Sequence, residues 1–366
     1  MAPARTTTTQ NKRLRLSKSA TAAPAPPQPA KAHATSRNRG TGLQHAGLRN
    51  LGNTCYLNSV LQVVLRCPLL YELLRQHANA TTSADSLLAD LRSTFETMAT
   101  QPSTHSPSRL LERLRAVHYV FRSGGQHDAQ ELLRCLLISV HEAWAAAPSQ
   151  VGASAVERVF HGQLEYTTRC LQCDERRTRH EGFSDLSLTV DHTRWGLADF
   201  FEAERLRGDD KYYCNTCRAF TEAVRTPRIR QAGPVLSLHL KRFARDGGEE
   251  EARRVGQHVQ LPSSLTLGEY ATPCCSRRAT PYELFALVAH SGRSGCGHYV
   301  SYVRPCARAS QLDAALSASL PAGAFLRFDD EECVPVTAEE LADAFAPGSR
   351  SAGLACICFY RATDVV

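Results

Sequence analysis

The sequence predicts an α+β fold in which a helical half precedes a half that is rich in strands. From Cys55 to about residue 140, apolar residues recur three and four positions apart, as they do on the buried face of a helix. Beyond about residue 156 the apolar runs are short, β-branched and aromatic, as in "VLSLHL" and "HYVSYVR". Because helices and strands are not interleaved, alternating βαβ units are not expected.

Four helices are expected in the first half. The first begins at Cys55, where Asn53 or Thr54 can cap it, and Pro68 marks its end. Its apolar positions repeat through "CYLNSVLQVVL". The other three are expected at about 87–98, 110–117 and 128–140. We interpret their apolar stripes as core packing.

The strands of the second half are separated by turn-like or charged spacers such as "DGGEEEARR" and "SGRSGCG". "VFHGQLEYTTRC", "LFALVAHS" and "ACICFYRA" are further strand-like runs with partial alternation. The sequence contains no internal repeat. We therefore expect one sheet-rich region that begins near residue 156 and extends to the end of the chain.

The first 42 residues differ in composition from the rest, and we expect them to form a disordered tail. The first forty hold eight Lys and Arg, no Asp or Glu, and the run "APAPPQPA". Such a segment cannot bury enough apolar surface to offset its chain entropy. The whole chain has a net charge of +7, so the part beyond the tail is close to neutral. The basic composition is therefore no argument that the folded part binds nucleic acid.

The same features bear on localisation. No apolar run approaches the ~18 residues that a membrane-spanning helix needs, and no apolar h-region follows the basic residues, so neither a membrane span nor secretion is expected. "NKRLRLSK" could be a nuclear-localisation or anionic-surface patch, part of a transit peptide, or a merely solvated tail. We predict a cytoplasmic or nuclear protein whose fourteen cysteines are mostly reduced.

Two Cys-x-x-Cys pairs, "CLQC" at 170–173 and "CNTC" at 214–217, predict a structural zinc site. One pair alone would be a weak signal, because redox motifs share that spacing. Two pairs with strand-like flanks favour a zinc ribbon, since four thiolates complete a tetrahedral site. The predicted ligands are Cys170, Cys173, Cys214 and Cys217. Such a site has no open position, so the Zn²⁺ would pin two hairpins with little core of their own. No organic cofactor is expected.

Cys55, in "NLGNTCYLNSVLQ", is a candidate nucleophile because a helix N-terminus favours a thiolate. Acyl-enzyme chemistry also needs a base, a group that orients the base, and donors for the oxyanion. His298 lies between a glycine-rich turn and a strand, and Asp329 lies between apolar anchors. On spacing alone, a Cys–His–Asp triad stands beside the simpler alternative that Cys55 is a small packing residue.

Six motifs in chain order resemble those of the ubiquitin-specific proteases, the papain-like deubiquitinase family. They are "GLRNLGNTCYLNSVLQ", "GGQHDAQELLRCLL", "LSLHLKRF", "YELFALVAHSGRSGCGHYVSYVR", "FLRFDDEECVPV" and "CICFYRA". The resemblance covers roughly residues 43–362 and is far more specific than any single motif. It implies a papain-like fold with a helical thumb, a β-rich palm and zinc-ribbon fingers. The catalytic domain would span 43–366, with the fingers inserted at about 160–235.

By position, the resemblance implies that Cys55 is the nucleophile and His298 the general base and acid. Asp329 would orient the imidazole, with Asp330 as the neighbouring alternative. Asn50 matches the family's oxyanion-hole side chain. The implied reaction is hydrolysis of the peptide or isopeptide bond after the C-terminal glycine of ubiquitin, so ubiquitin and ubiquitinated proteins are the expected partners.

Four further residues match family contacts with the ubiquitin tail, which is extended, carries arginines and ends in two glycines. Asp128 and Glu131 correspond to carboxylates that face those arginines. Phe243 and Tyr299 correspond to aromatic residues that wall the narrow channel for the two glycines. Asp128 is also a natural N-cap for the helix that follows it, and both roles are compatible.

Three alternatives stay open at this point. A non-catalytic ubiquitin-binding scaffold would not need the intact Cys55, His298, Asp329 and Asn50. A protease for another modifier with a diglycine end is excluded by no residue. A zinc ribbon that binds nucleic acid would leave the six motifs unexplained. Regulation is expected to come from loops, the tail or a separate activating protein.

Overall fold

A computed structural model of the 366-residue chain describes most residues after the tail. The described residues are 47–76, 86–146, 152–190, 196–244, 253–254, 259, 261–293, 296–306, 311–346, 349 and 353–365. All of them belong to one compact unit, Leu43–Val366. The tail lies outside the described residues, so its disorder stays a prediction.

Helices dominate the first half of the described chain and strands the second, which confirms the predicted α+β class. The helices are α1 (Cys55–Leu65), α2 (Pro68–Gln76), α3 (Leu87–Thr100), α4 (Ser108–Val117), α5 (Ala129–Ala145), α6 (Ala155–Phe160), α7 (Leu197–Phe200), α8 (Gln311–Ser319) and α9 (Ala338–Ala344). Pro68 does mark a break after α1, but it also begins α2, which the sequence analysis missed. Proline suits that first position because its missing N–H is not needed there.

The strands form two larger sheets and two small pairs. They are β1 (Gly162–Cys170), β2 (Arg176–Phe183), β3 (Leu186–Thr189), β4 (Glu204–Leu206), β5 (Tyr212–Cys214), β6 (Ala219–Thr221), β7 (Ala223–Gln231), β8 (Val235–Lys241), β9 (Phe243–Ala244), β10 (Arg253–Arg254), β11 (Ser264–Thr266), β12 (Pro281–Arg293), β13 (Cys296–Val303), β14 (Phe325–Asp329), β15 (Glu332–Val336) and β16 (Leu354–Ala362). The small pairs are β5 with β6 and β9 with β10.

The main sheet has the strand order β15-β14-β13-β12-β16-β8-β3, and β11 pairs with β12. Its pairings are antiparallel except that of β3 with β8. One face packs against the helices and the other forms a second core with the base of the finger strands. Because β13 and β14 are neighbours, the ends of these two strands bring His298 close to Asp329.

A second sheet, here called the finger sheet, has the order β2-β1-β7-β4 and extends beyond the main core. The hairpin β5–β6 belongs to the same stretch of the chain. Much of the finger sheet is exposed, and the first seven residues of β2 are all exposed. This region therefore has little apolar core, as expected for hairpins that need another stabilising element.

Helix α1 lies between the other helices and the main sheet. All eleven of its residues are buried, and it packs against α5 on one side and against β13 on the other. A helix that is buried all round is fixed in position by its neighbours. In the part of the chain that the structure describes, no single helix is long and apolar enough to cross a membrane. Helices α1 and α2 have that length and apolar character only when taken as one segment, and an 84° bend separates them.

A buried ion pair joins the end of α1 to α8. The Nε atom of Arg66 donates to Oδ1 of Asp313 at 3.0 Å, and both side chains are 1% exposed. The guanidinium also lies 4.3 Å from the centre of the Phe328 ring. Since α8 belongs to the segment between β13 and β14, this pair ties α1 to the connection between the strands that carry His298 and Asp329.

We expect Asp313→Ala to lower the free energy of unfolding by about 3–5 kcal/mol, because it leaves the Arg66 charge buried without its partner. Urea unfolding followed by circular dichroism measures the change. The matched control is Asp343→Ala, which removes an exposed carboxylate from α9 and should shift the value by no more than about 0.5 kcal/mol. A loss below about 1 kcal/mol for Asp313→Ala would contradict the prediction.

Candidate active site and metal centre

Cys55 is the first residue of α1 and is 2% exposed. The tight loop before it is held by Asn50, whose Oδ1 accepts hydrogen bonds from the N–H groups of Gly52 at 3.0 Å and Thr54 at 3.2 Å. Gly52 has a φ of 94°, which favours glycine. Thr54 occupies the N-cap position but its side chain does not cap the helix. The first N–H groups of α1 therefore remain available for negative charge near the Cys55 sulfur.

His298 contacts both Asp329 and Cys55. Its Nε2 lies 2.5 Å from Oδ1 of Asp329, and the Cys55 thiol is near enough to the ring to raise the pKa of His298. Because Nε2 is engaged by the carboxylate, Nδ1 is the nitrogen left for the sulfur. The structure thus brings together a thiol, an imidazole and a carboxylate from a stretch in which the first and last of these residues lie 274 positions apart.

The contacts of His298 and Asp329 favour the charged form of both side chains. The hydrogen bond to Asp329, and next the neighbouring Cys55 thiol, raise the pKa of His298 to about 10, although burial opposes that shift. Burial would raise the pKa of Asp329, but His298 and Arg327 outweigh it and hold that pKa below its usual value. Arg327 donates to the second carboxylate oxygen. At neutral pH the imidazole is therefore protonated and can pair with a thiolate.

The sign of this shift makes a testable prediction. A raised pKa means that the imidazolium and its contacts persist through neutral pH and are lost as the pH rises through about 10. In Asp329→Asn the largest cause of the shift is removed, so the His298 ring should titrate at least about one pH unit lower. NMR of the ring protons measures this. His239, whose pKa burial lowers, is the internal control. An unchanged His298 titration would contradict the assignment.

Asp330, the alternative orienting residue, does not contact His298 in this way. Its Oδ2 accepts from Nδ2 of Asn50 at 2.8 Å and its Oδ1 from Nδ2 of Asn58 at 2.7 Å. Its backbone C=O accepts from the N–H of Leu48 at 2.8 Å. The two adjacent aspartates therefore have different tasks: Asp329 holds the imidazole, and Asp330 holds the loop that leads to Cys55.

Asn50 is consequently fixed at both ends of its amide. Its oxygen holds the loop, and its nitrogen is oriented by Asp330. An amide nitrogen carries two protons, so one N–H remains for another acceptor. This geometry suits a donor to an oxyanion, and Asn58 and Asp330 are supporting residues to which the sequence analysis gave no such role.

Gln126 is a further residue that the sequence analysis missed. Its Nε2 donates to the carbonyl of Gly297 at 2.6 Å, and the N–H of Gly297 donates back to its Oε1 at 2.5 Å. The side-chain amide of Gln126 thus pairs with both backbone groups of Gly297, the residue directly before His298, as a neighbouring strand would. It lies in the motif "GGQHDAQELLRCLL", which marked the segment but did not reveal a contact 171 positions away.

The four cysteines of the predicted zinc site lie together, with all sulfurs within 4.8 Å of one another. The sulfurs of Cys170 and Cys217 are 3.9 Å apart, and those of Cys173 and Cys214 are 3.6 Å apart. In a tetrahedral site with Zn–S bonds of about 2.3 Å, sulfurs lie about 3.8 Å apart. The chemistry and spacing of the four donors therefore fit one Zn²⁺.

The two Cys-x-x-Cys turns share a backbone feature. Asp174 follows the first pair with a φ of 58°, and Arg218 follows the second with a φ of 52°. Each left-handed residue turns the chain back into a strand, β2 in one case and β6 in the other. The two loops thus present their sulfurs to a common point in matching ways.

The residues expected to contact the ubiquitin tail lie where α5 meets β13, as far as they are described. Asp128 caps α5, accepting from the N–H of Gln130 at 2.6 Å, and Glu131 is exposed in the first turn. Tyr299 is 6% exposed; burial raises its pKa, and Asp128 adds to the shift because the carboxylate is close. Phe243 lies in β9, but its side chain lies outside the described part of the chain.

A cavity lies away from the thiol, at the base of the finger sheet. It has a volume of about 600 Å³ and lies between α5, α6 and the base of the finger sheet. Gln130 and Arg134 line one side, and Glu181 and Phe183 line the other. Its lining follows α5 from Gln130 to His141 and reaches the finger sheet at Glu181 and Phe183.

Comparison with known proteins gives consistent matches. A family model described as ubiquitin carboxyl-terminal hydrolase matches residues 46–360. Ubiquitin carboxyl-terminal hydrolase 4 of Arabidopsis thaliana is 30% identical over 305 residues, which cover 72% of this chain and 82% of that protein. Ubiquitin carboxyl-terminal hydrolase 12 of Salmo salar is 30% identical over 291 residues, which cover 70% of this chain and 77% of that protein.

A solved structure is also similar. It is the SAGA deubiquitinating module of Ubp8, Sgf11, Sus1 and Sgf73 bound to monoubiquitin, with a TM-score of 0.71 and 22% identity. The match covers 86% of this chain and 68% of that chain. At this level of identity, the likeness concerns the fold.

Proposed function

The chain belongs to the ubiquitin carboxyl-terminal hydrolase family, and we propose that Cys55 and His298 are the nucleophile and the base of its reaction. As a member, it is a cysteine-type deubiquitinating enzyme, which confirms the predicted activity. The observation that carries the assignment is that His298 contacts Asp329 through Nε2 at 2.5 Å, with the Cys55 thiol near enough to raise the pKa of the same ring.

In the first half of the proposed reaction, the Cys55 thiolate attacks the carbonyl carbon of the last glycine of ubiquitin. The resulting oxyanion is held by the free N–H of Asn50 and by backbone N–H groups at the start of α1. The imidazolium of His298 gives its proton to the leaving amine, which is a lysine Nζ in an isopeptide or an α-amine in a peptide. A thioester between Cys55 and ubiquitin remains.

In the second half, His298 takes a proton from a water molecule, which attacks the thioester carbonyl. Cys55 leaves as a thiolate beside the imidazolium, and the new carboxyl group of ubiquitin loses its proton to solvent and is released as a carboxylate. Asp329 keeps the ring oriented and stabilises its charged form throughout, while Asp330 keeps Asn50 in place. The hydrogen bonds of Asp329 to His298 and of Asp330 to Asn50 support these two roles.

Gln126 is proposed to position His298 for these proton transfers. We expect Gln126→Ala to lower kcat about tenfold, because it removes two hydrogen bonds worth roughly 1 kcal/mol each from the residue before the base. The KM for a fluorogenic amide of ubiquitin should stay within about twofold. Gln101→Ala, an exposed change after α3, is the control. An unchanged kcat would contradict a positioning role.

We propose that Cys170, Cys173, Cys214 and Cys217 hold one structural Zn²⁺. The close packing of four sulfurs supports this, and four thiolates would leave the metal no open position for catalysis. When bound, the ion supplies a cross-link between two hairpins rather than a reactive group. The proposal accounts for a sheet whose outer strand β2 is exposed along its first seven residues and so contributes little to a core.

We propose that Asp128, Glu131, Tyr299 and Phe243 recognise the C-terminal tail of the modifier. The carboxylates near the start of α5 suit its arginines, and the buried Tyr299 ring beside that helix suits a channel which only glycine residues pass. Ubiquitin and ubiquitinated proteins would be the partners. The similar Ubp8 structure is assembled with accessory proteins, which supports the proposal that a separate protein regulates this enzyme. A cytoplasmic or nuclear location stays a prediction from the basic tail.

The proposed function is tested with ubiquitin bearing a C-terminal electrophile. We expect a covalent adduct that peptide mapping places on Cys55, formed faster than with the same probe built on other diglycine-ending modifiers. Absence of an adduct with any probe would overturn the assignment of Cys55. Faster reaction with another modifier would overturn ubiquitin as the preferred substrate.

A further inference from the structure

The outer strand of the finger sheet carries arginines without acidic partners. Strand β2 (Arg176–Phe183) stands at the end of the order β2-β1-β7-β4, so β1 is its only partner among the described strands. Its first seven residues, "RRTRHEG", are all exposed. The strand therefore presents both charged side chains and an open backbone edge.

Other arginines near or on the same sheet are paired with carboxylates. The pairs are Arg169 with Asp174 at 2.8 Å, Arg205 with Glu222 at 2.8 Å, Arg225 with Glu204 at 2.6 Å and Arg230 with Glu165 at 3.1 Å. By contrast, Arg176, Arg177 and Arg179 form no ion pair with any residue that the structure describes. The paired arginines of the inner and opposite strands are thus neutralised by carboxylates, whereas the three arginines of the β2 edge are not.

The register of the sheet shows which backbone groups of β2 are free. The N–H of Cys170 donates to the C=O of Glu175 at 2.9 Å, and the pairing with β1 continues without a shift. In an antiparallel ladder, successive residues turn their N–H and C=O groups alternately towards and away from the partner. Counting from Glu175, the residues that turn these groups outward are Arg176, Thr178 and His180.

The open edge has a defined end. A Cβ atom added to Gly182 would lie 2.7 Å from the ring of His161, so that ring lies over one face of the sheet where the exposed part of β2 ends. At the other end, β2 begins directly after the first Cys-x-x-Cys turn. The accessible stretch runs from 176 to 180, which is about the length of an average strand.

We infer that this edge binds an acidic, extended segment of another protein as a fifth strand of the finger sheet. The backbone of the added segment pairs with the outward groups of Arg176, Thr178 and His180. Its carboxylates face Arg177 and Arg179 on one side of the sheet and Arg176 on the other. Directly opposed residues in such a pair have Cβ atoms about 4.5–5.5 Å apart, which is within reach of an arginine and a glutamate.

A polypeptide fits this edge better than a nucleic acid does. The edge offers donors and acceptors in alternation, whereas a phosphate backbone would use the donors alone. Glu181 on the same strand and Glu165 on β1 interrupt the basic surface that a nucleic acid would follow. Charged edges also protect sheets against aggregation, and the experiment below separates that role from binding.

The test uses the full chain and a fluorescein-labelled octapeptide of alternating glutamate and valine, with blocked ends. We expect saturable binding by fluorescence anisotropy that weakens as salt is raised. Replacing Arg176, Arg177 and Arg179 together by serine should weaken binding about tenfold. Arg205→Ser, at the opposite edge of the same sheet, is the matched control and should change binding less than twofold.

A second variant tests strand addition rather than charge alone. Thr178→Pro removes an outward N–H without removing a hydrogen bond to β1, and proline is tolerated at sheet edges. We expect this variant to bind the peptide more weakly. Two further peptides carry N-methyl groups on alternate residues, one on the odd and one on the even positions, and we expect the one whose methyl groups face β2 to bind poorly. If both N-methylated peptides bound as tightly as the unmodified peptide, the inference that the peptide adds as a fifth strand would be overturned.

Three further outcomes would overturn the inference. One is no binding of the acidic peptide, and another is equal or tighter binding of a short DNA duplex. The third is a raised KM of the triple serine variant for a ubiquitin amide, since these arginines would then belong to the substrate surface. Unchanged hydrolysis in the same preparation shows that the variant is folded, so failure here is distinguishable from failure of the proposed catalytic function.

Discussion

Cys55→Ala is expected to abolish turnover while leaving the affinity for ubiquitin within about threefold of the parent. Loss of a nucleophile that works with a base lowers kcat on the order of 10⁴-fold or more. The fold should survive, because alanine suits the first position of a helix and removes only one buried sulfur. Hydrolysis of a ubiquitin amide and calorimetric titration with ubiquitin measure the two properties.

The matched control for this change is Cys135→Ala, which removes a half-buried thiol from α5. It should keep turnover within about twofold. If Cys55→Ala instead retained turnover within tenfold of the parent, Cys55 would not be the nucleophile. If it lost ubiquitin binding together with its folded structure, Cys55 would be a packing residue.

Removal of zinc is expected to disable ubiquitin hydrolysis without disabling the thiol. A four-thiolate site contributes about 10–16 kcal/mol to folding in small zinc domains, and the finger sheet has little core to replace that contribution. Metal analysis should give about one Zn²⁺ per chain. After chelation we expect the KM for a ubiquitin amide to rise at least about tenfold.

In the same chelated sample, alkylation of Cys55 by iodoacetamide should stay within about twofold of the parent rate, since Cys55, His298 and Asp329 lie on α1, β13 and β14. Cys217→Ser should reproduce the effect of chelation. Cys274→Ser, an exposed thiol outside the cluster, is its control. A metal-free protein with full structure and activity would contradict the zinc proposal.

Much of the fold could be predicted because its signals are local. The three-and-four spacing after Cys55 does belong to a buried helix, and the β-branched runs after residue 156 do belong to sheets. The α2 helix was missed because Pro68 signals both an end and a beginning, and only the packing of the following apolar residues decides between them. The sulfurs of the two Cys-x-x-Cys pairs do lie together, since their spacing already constrains how each loop can turn.

The finer arrangement of the site depends on contacts between distant segments. Nothing local separates Asp329 from Asp330: both are aspartates in one short motif, and only the backbone turn after β14 aims one carboxylate at His298 and the other at Asn50. The contact of Gln126 with Gly297 likewise joins segments 171 positions apart. Side-chain hydrogen bonds over such separations leave no periodic trace in a sequence.

The adjacency of Asp329 and Asp330 has a consequence for how activity can be switched. Both residues lie at the turn of the hairpin formed by β14 and β15. A displacement of that single turn would withdraw support from the imidazole and from the oxyanion donor in one movement. In the proposed mechanism both supports would therefore be lost or kept jointly, and an effector that binds this hairpin would act as an on–off control rather than a graded one.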